Sequence, residues 1–169
     1  MEIERKFLIR QLPEHLEQYP CLQIEQGYLC TNPVVRIRKQ DDSYFLTYKS
    51  GGLMTREEYN LPLTAESYAH LRKKTDGLLI TKKRYCIPLD PYTIELDIFE
   101  GDLAPLILAE VEFPSEEEAN AFTISHCYLL PINLQSEIIF SREMSAHISV
   151  WSGCSISAVH SGRIIFPPE

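Results

Sequence analysis

The sequence predicts a mainly β protein of the α+β class: an eight-stranded antiparallel sheet closed into a barrel, with a few peripheral helices. Three observations predict it. Eight short segments alternate apolar and polar residues with a period of two. Turn residues punctuate the gaps between them, at Asn32-Pro33, Asp41-Asp42, Gly51-Gly52 and Asp90-Pro91. Only two segments carry helical signals, and many strands with few helices to cover their edges favour closure.

The strands fall near 1–9, 24–30, 34–39, 43–49, 54–61, 79–88, 92–99 and 106–113. The short gaps at Asp41-Asp42 and Gly51-Gly52 read as hairpins. A first helix is expected over 65–76, starting after Thr64 and stopping at Gly77. A second starts at Ser115, with Glu118 three residues on in a capping-box pattern, and carries Ala119, Ala121 and Phe122. One further turn of helix fits 13–19.

At 169 residues the chain is one domain's worth, with enough apolar content for a core. Its net charge of -8 argues against nucleic acid as a partner, since that binding needs clustered Lys and Arg. The charged opening Met-Glu-Ile-Glu-Arg-Lys is no secretory leader, and no apolar run is long enough to span a membrane. A cytoplasmic protein is expected. The five cysteines lack C-x-x-C spacing and read as reduced thiols. The histidines lack ligand spacing.

The informative feature is which face of each strand holds charge, because alternate residues point to opposite faces. Glu2, Glu4 and Lys6 share a face opposite Ile3 and Phe7. Arg36 pairs with Arg38, Lys49 falls in phase with Thr47, and Arg56 falls with Glu58. Lys82 falls with Arg84, Glu95 with Asp97, and Glu110 with Glu112. A solvated outer face could hold any one of these pairs. Seven strands with charges in register, mostly segregated by sign, instead suggest a site with a metal side and an anion side. Carboxylates are hard oxygen ligands for Mg²⁺ or Mn²⁺. Guanidinium and ammonium groups hold phosphate oxygens. Phosphoryl transfer needs both. There is no P-loop motif and no nucleophilic triad.

In chain order, these residues resemble the CYTH family, the triphosphate tunnel metalloenzymes, in its short bacterial form. Glu2-Ile3-Glu4-Arg5-Lys6 resembles the family's E-x-E-x-K strand. Gln26-Gly27-Tyr28-Leu29, Val35-Arg36-Ile37-Arg38, Leu46 to Ser50, Arg56 to Tyr59 and Lys82-Lys83-Arg84-Tyr85 resemble the strands that follow. Glu95 to Phe99 and Glu110 to Phe113 resemble its acidic strands. The resemblance implies an eight-stranded tunnel holding a triphosphate and Mg²⁺ or Mn²⁺. It implies metal ligation by Glu2, Glu4, Asp97, Glu110 and Glu112, and triphosphate binding by Lys6, Arg36, Arg38, Lys49 and Arg84. Lys82 takes a water-orienting or base role, or serves as one more phosphate clamp. Arg56, Glu58 and Glu95 support these groups or pair with them. Asn60 stands where the family often has a second acid.

The expected function is metal-dependent hydrolysis of a small-molecule triphosphate. Inorganic tripolyphosphate leads; thiamine and nucleoside triphosphates follow. The alternatives are a non-catalytic polyphosphate- or nucleotide-binding module and an adenylate cyclase. Residues 1–122 read as the tunnel core. Residues 123–169 form a divergent C-terminal segment whose only charges are Glu137, Arg142, Glu143, Arg163 and Glu169. Two helices are few for covering the apolar outer faces, so a homodimer is an expected form.

Overall fold

The computed structural model describes residues 2–9, 12–51, 55–123 and 129–131, with backbone alone at 8, 55–56 and 129–131. Its strands are β1 (Glu2–Ile9), β2 (Cys21–Thr31), β3 (Val34–Gln40), β4 (Ser43–Lys49), β5 (Thr55–Arg56) and β6 (Glu58–Pro62). They continue with β7 (Asp76–Leu89), β8 (Tyr92–Phe99), β9 (Ile107–Glu112) and β10 (Leu129–Pro131). Helix α1 spans Ala65–Arg72 and α2 spans Glu116–Ala121, with 3₁₀ turns at Leu16–Gln18 and Gly101–Leu103. All eight expected strands are therefore present.

The strands form one antiparallel sheet in the order β10-β1-β9-β8-β7-β2-β3-β4-β6, and it curls into a half-barrel. Full closure, the sequence expectation, is met only in part. The segment expected as one strand over 54–61 is two. β5 pairs with β1 through Glu2↔Arg56 and Ile3↔Thr55, whereas β6 pairs with β4. The break lies at Glu57, which Ser50 holds from both sides. The Glu57 N–H donates to Ser50 Oγ at 2.9 Å, and the Ser50 N–H donates to the Glu57 carbonyl at 2.9 Å. Further along β1, Phe7, Leu8 and Ile9 pair with β10 instead. The two pieces, β5 and β10, thus divide one edge of β1.

Helix α1 ends at Arg72, short of the expected 76, and β7 begins at Asp76. Gly77 is not the helix stop. It has φ 68° and lies where the β2–β7 register slips between Gln26↔Ile80 and Tyr28↔Asp76. It is the residue that lets β7 bulge. The opposing Gly27 is packed under Thr75 and Leu79: a Cβ there would come within 2.6 Å of Thr75 Cγ2. The second helix begins as expected, with Ser115 Oγ accepting from the Glu118 N–H at 3.1 Å.

The sheet carries its hydrocarbon on the outside. Ile3, Phe7, Ile94, Leu96, Ala109, Val111 and Phe113 pack under α2 and the 16–18 turn. Phe122 meets the Phe7, Tyr92 and Phe113 rings at centroid distances of 5.0–5.9 Å. Arg5, on the same outer face, donates to the Ala119 and Phe122 carbonyls at 2.7 and 2.9 Å. It satisfies acceptors left open at the end of α2. Helix α1 covers β3 and β4, with the Tyr68 ring tilted at 44° against that of Tyr44, centroids 5.1 Å apart. Tyr68 and Arg72 both donate to the Glu25 carboxylate. Because this outer layer is apolar, strand alternation sends the charges inward.

Candidate active site

Ion pairs between different strands place the charged faces around one interior. Lys49 of β4 reaches both Glu2 oxygens on β1 at 2.7 Å and Glu58 on β6 at 2.6 Å. Lys6 pairs with Glu4 at 2.5 Å and with Glu110 at 3.0 Å. Arg84 reaches Asp97 at 2.6 Å, Glu110 at 2.7 Å and also Glu95. Lys82 donates to Asp97 Oδ2 at 2.5 Å. Asp97 is 1% exposed, so three donors from two side chains converge on a carboxylate sealed from water.

The electrostatics follow from this crowding. Burial and repulsion by Arg84 lower the Lys82 ammonium, outweighing the pull of Asp97 and Glu110. Burial would raise Glu110, but Lys6, Arg84 and Lys82 hold it well below the usual carboxylate range. Burial pushes Glu2 up to about 7, helped by its hydrogen bond to Glu58 and by Glu4. Burial also acts on Glu58, but the hydrogen bonds from Glu2 and Lys49 hold it at about 2. Glu95 is raised by burial and by Glu110 and Glu112.

On the opposite wall, the basic strand β3 is less well matched. Arg36 feels burial, offset by Tyr28, Glu58 and Glu110, which raise it. Burial and Arg36 lower Arg38. Arg38 Nη2 lies 3.5 Å from Asn60 Oδ1, and its guanidinium is 5.5 Å from the Phe45 ring centroid. The Nε atoms of Arg36 and Arg38 are both buried and, among the described residues, have no hydrogen-bond partner. Two donors aimed inward without acceptors are costly unless an anion completes them.

Thirteen of the fourteen charged residues singled out in the sequence lie on the inward face. Of Arg56 only the backbone register is described, and its side chain lies outside the described residues. Glu112, the cross-strand partner of Glu4, is exposed at one mouth of the interior. There a shallow cavity is lined by Tyr92, Glu95, Glu112 and Glu118. Among the described residues no three carboxylates converge as an ion-binding group. The donor chemistry nonetheless fits a hard divalent cation: Glu2, Glu4, Glu95 and Glu112 are oxygen donors, with Glu4 raising Glu2 and Glu112 raising Glu95 at this end.

Sequence reasoning gave no site role to several neutral groups. Thr47 is fully buried and donates to Asn60 Oδ1 at 2.6 Å, and Asn60 Nδ2 donates to Glu58 at 2.6 Å. Gln26 is buried between Arg38 and Ile80, and Tyr28 contacts Arg36. Thr47 and Asn60 are in phase with Lys49 and Glu58, which is the signal that could have found them, whereas Gln26 and Tyr28 meet Arg38 and Arg36 only through the β2–β3 register.

The CYTH domain profile matches residues 1–125. The chain belongs to the CYTH family. It is 42% identical over 126 residues to an inorganic triphosphatase of Nitrosomonas europaea, covering 72% of this chain and 82% of that protein. It is 32% identical over 124 residues to an inorganic triphosphatase of Acetivibrio thermocellus, covering 68% and 76%. The crystal structure of an inorganic triphosphatase superposes with a TM-score of 0.55 at 36% identity, over 76% of this CYTH chain and 83% of the other. Among the described residues no helix is long and apolar enough to cross a membrane.

Proposed function

We propose that this CYTH protein hydrolyses a triphosphate, with inorganic tripolyphosphate as the leading substrate and Mg²⁺ or Mn²⁺ as the cofactor. One observation carries the reading: the buried Nε donors of Arg36 and Arg38 lack acceptors and face a wall of carboxylates. Such a cavity suits a ligand that is anionic on one side and cation-bearing on the other. The names of the similar proteins support the same substrate class.

In this proposal Lys6, Arg36, Arg38, Lys49 and Arg84 hold the phosphate oxygens, exchanging internal carboxylates for substrate. Glu2, Glu4, Asp97, Glu110 and Glu112 would hold the metal, with Glu58, Glu95 and Arg56 around them. A bound divalent ion would neutralise charge developing on the phosphoryl oxygens. Asp97 fixes the Lys82 amine, and burial favours its neutral form, which suits it to take a proton from the attacking water. Exposed Tyr48, Tyr59 and Leu61 on the outer face of β4 and β6 support a homodimer, to be checked by sedimentation.

The test is phosphate release from tripolyphosphate, thiamine triphosphate and nucleoside triphosphates with each metal. Release from tripolyphosphate that chelation abolishes is expected. Glu4→Gln and Arg38→Ala should each lower turnover by about a hundredfold or more without unfolding the protein. Tight binding without release would instead identify a polyphosphate-binding module.

A further inference from the structure

The interior cations are not equally committed. Lys6, Lys49, Lys82 and Arg84 each hold a carboxylate at 2.5–3.0 Å. Among the described residues, Arg38 forms no ion pair; its Nη2 instead lies 3.5 Å from the neutral Asn60 Oδ1. Asn60 sits between two kinds of neighbour. On β6 it follows Glu58, whose cross-strand partner is Lys49, and it is itself paired with Thr47, whose other neighbour is Arg36. The hydrogen bonds fix which way its amide points. The Glu58 carboxylate only accepts, so Asn60 Nδ2 faces Glu58 Oε1 at 2.6 Å. That turns Asn60 Oδ1 toward the buried Thr47 hydroxyl, at 2.6 Å, and toward Arg38. The second Glu58 oxygen lies 2.6 Å from Lys49 Nζ. Glu58 is thus engaged at both oxygens, and it is the acid that Arg38 feels most. Asn60 itself is exposed on the last strand of the sheet, where a change of charge leaves the fold intact.

From this arrangement we infer that Asn60 is a positioning residue for anion capture: its neutral amide ties Glu58 to the Lys49 side and leaves Arg38 without a counter-ion, open to a phosphate oxygen. A carboxylate at this place would pair with Arg38, and an entering phosphate would have to break that pair before binding. The same carboxylate would face Glu58 in place of a donor and repel the polyanion. Asn60 therefore acts through Arg38 and Glu58 and does not touch the reacting atoms. The inference rests on the triphosphatase reading and concerns how tightly the anion is held rather than how fast it is cleaved.

The experiment compares native protein, Asn60→Asp and Asn60→Ala. Calorimetry gives the Kd of tripolyphosphate with chelator present, and phosphate release with Mg²⁺ gives KM and kcat. Asn60→Asp keeps the size and the acceptor for Thr47 but adds the charge; it should weaken Kd and raise KM about tenfold while kcat changes far less. Raising the salt concentration should narrow that deficit, because the side chain is exposed. Asn60→Ala loses both hydrogen bonds but adds no charge, and its Kd should stay within about threefold of native. A merely structural role gives the opposite order, since Ala removes more contacts than Asp; Ala weakening Kd as much as Asp, or more, overturns the inference. Native-like Kd and KM in Asn60→Asp, with circular dichroism showing it folded, overturn it as well. If native protein releases no phosphate but binds tripolyphosphate, and Asn60→Asp weakens that binding, the hydrolysis reading fails and the role of Asn60 stands. If native protein hydrolyses tripolyphosphate and Asn60→Asp matches it throughout, the reverse holds.

Discussion

Asp97→Asn is the perturbation that most directly tests how the interior is held together. Asp97 accepts from Lys82 Nζ at 2.5 Å and from Arg84 Nε and Nη2 at 2.7 and 2.6 Å. The amide keeps the shape but loses the charge. Arg84 keeps Glu95 and Glu110, so most of the cost falls on Lys82, which donates to Asp97. Stranding one partner of a buried pair costs about 3–5 kcal/mol, and the retained Arg84 contacts argue for the lower figure. In a chain of this size each kcal/mol moves the melting temperature by about 2–4 °C, so a drop of about 6–12 °C is expected. Lys82→Met combined with Asp97→Leu should recover most of that drop, because a hydrophobic pair of similar volume needs no counter-charge. The assay is thermal unfolding followed by circular dichroism for native protein, Asp97→Asn and the double variant. If Asp97→Asn melts within about 2 °C of native, the convergent pairing at Asp97 contributes little and the reasoning is refuted.

Three further outcomes are expected. Lys82→Arg keeps the charge but cannot deprotonate; if the Lys82 amine takes the proton from water, the rising limb of the pH–rate profile should vanish, whereas a clamp would retain it. Glu25 is held below the usual carboxylate range by its hydrogen bond from Arg72. Its contribution is therefore complete above the unfolded value near 4.5 and is lost as pH falls through the lower folded value. Melting temperatures below about pH 5 should accordingly fall more steeply for native protein than for Glu25→Gln. Gly27→Ala should destabilise by about 1–3 kcal/mol through the clash with Thr75 Cγ2, read as a lower denaturation midpoint, and Thr75→Ser should relieve part of it.

Much of this architecture was legible because strand alternation is a short-range signal. Glu2, Glu4 and Lys6 could be assigned to one face of β1 from spacing alone, and Arg36 with Arg38 likewise. What alternation cannot show is where a strand changes partner. Nothing local distinguishes Glu57 as the break between β5 and β6; the cause is Ser50, seven residues away and folded back upon it. Gly77 read as a helix stop because Gly commonly ends helices, yet its positive φ serves a bulge in β7. The site was legible in its charges and illegible in its neutral members. Thr47, Asn60 and Tyr28 have no charge to mark them, and Ile80, Phe99 and Leu108 looked like ordinary core. Alternation puts them in phase with Lys82, Asp97 and Glu110, but the cross-strand register is what gathers them into one cluster.

The mutual pairing of acids and bases inside the half-barrel has a thermodynamic consequence. A lone cation drawn to the carboxylates would displace Lys6 or Arg84 and strand it; a lone anion drawn to Arg84 or Lys49 would do the reverse to Glu110 or Glu58. Only when both arrive does every displaced group find a new counter-ion. The two ligands should therefore show positive heterotropic linkage, each tightening the other by an equal factor. Under the proposed function, the interior would then act as a coincidence detector for a chelated anion.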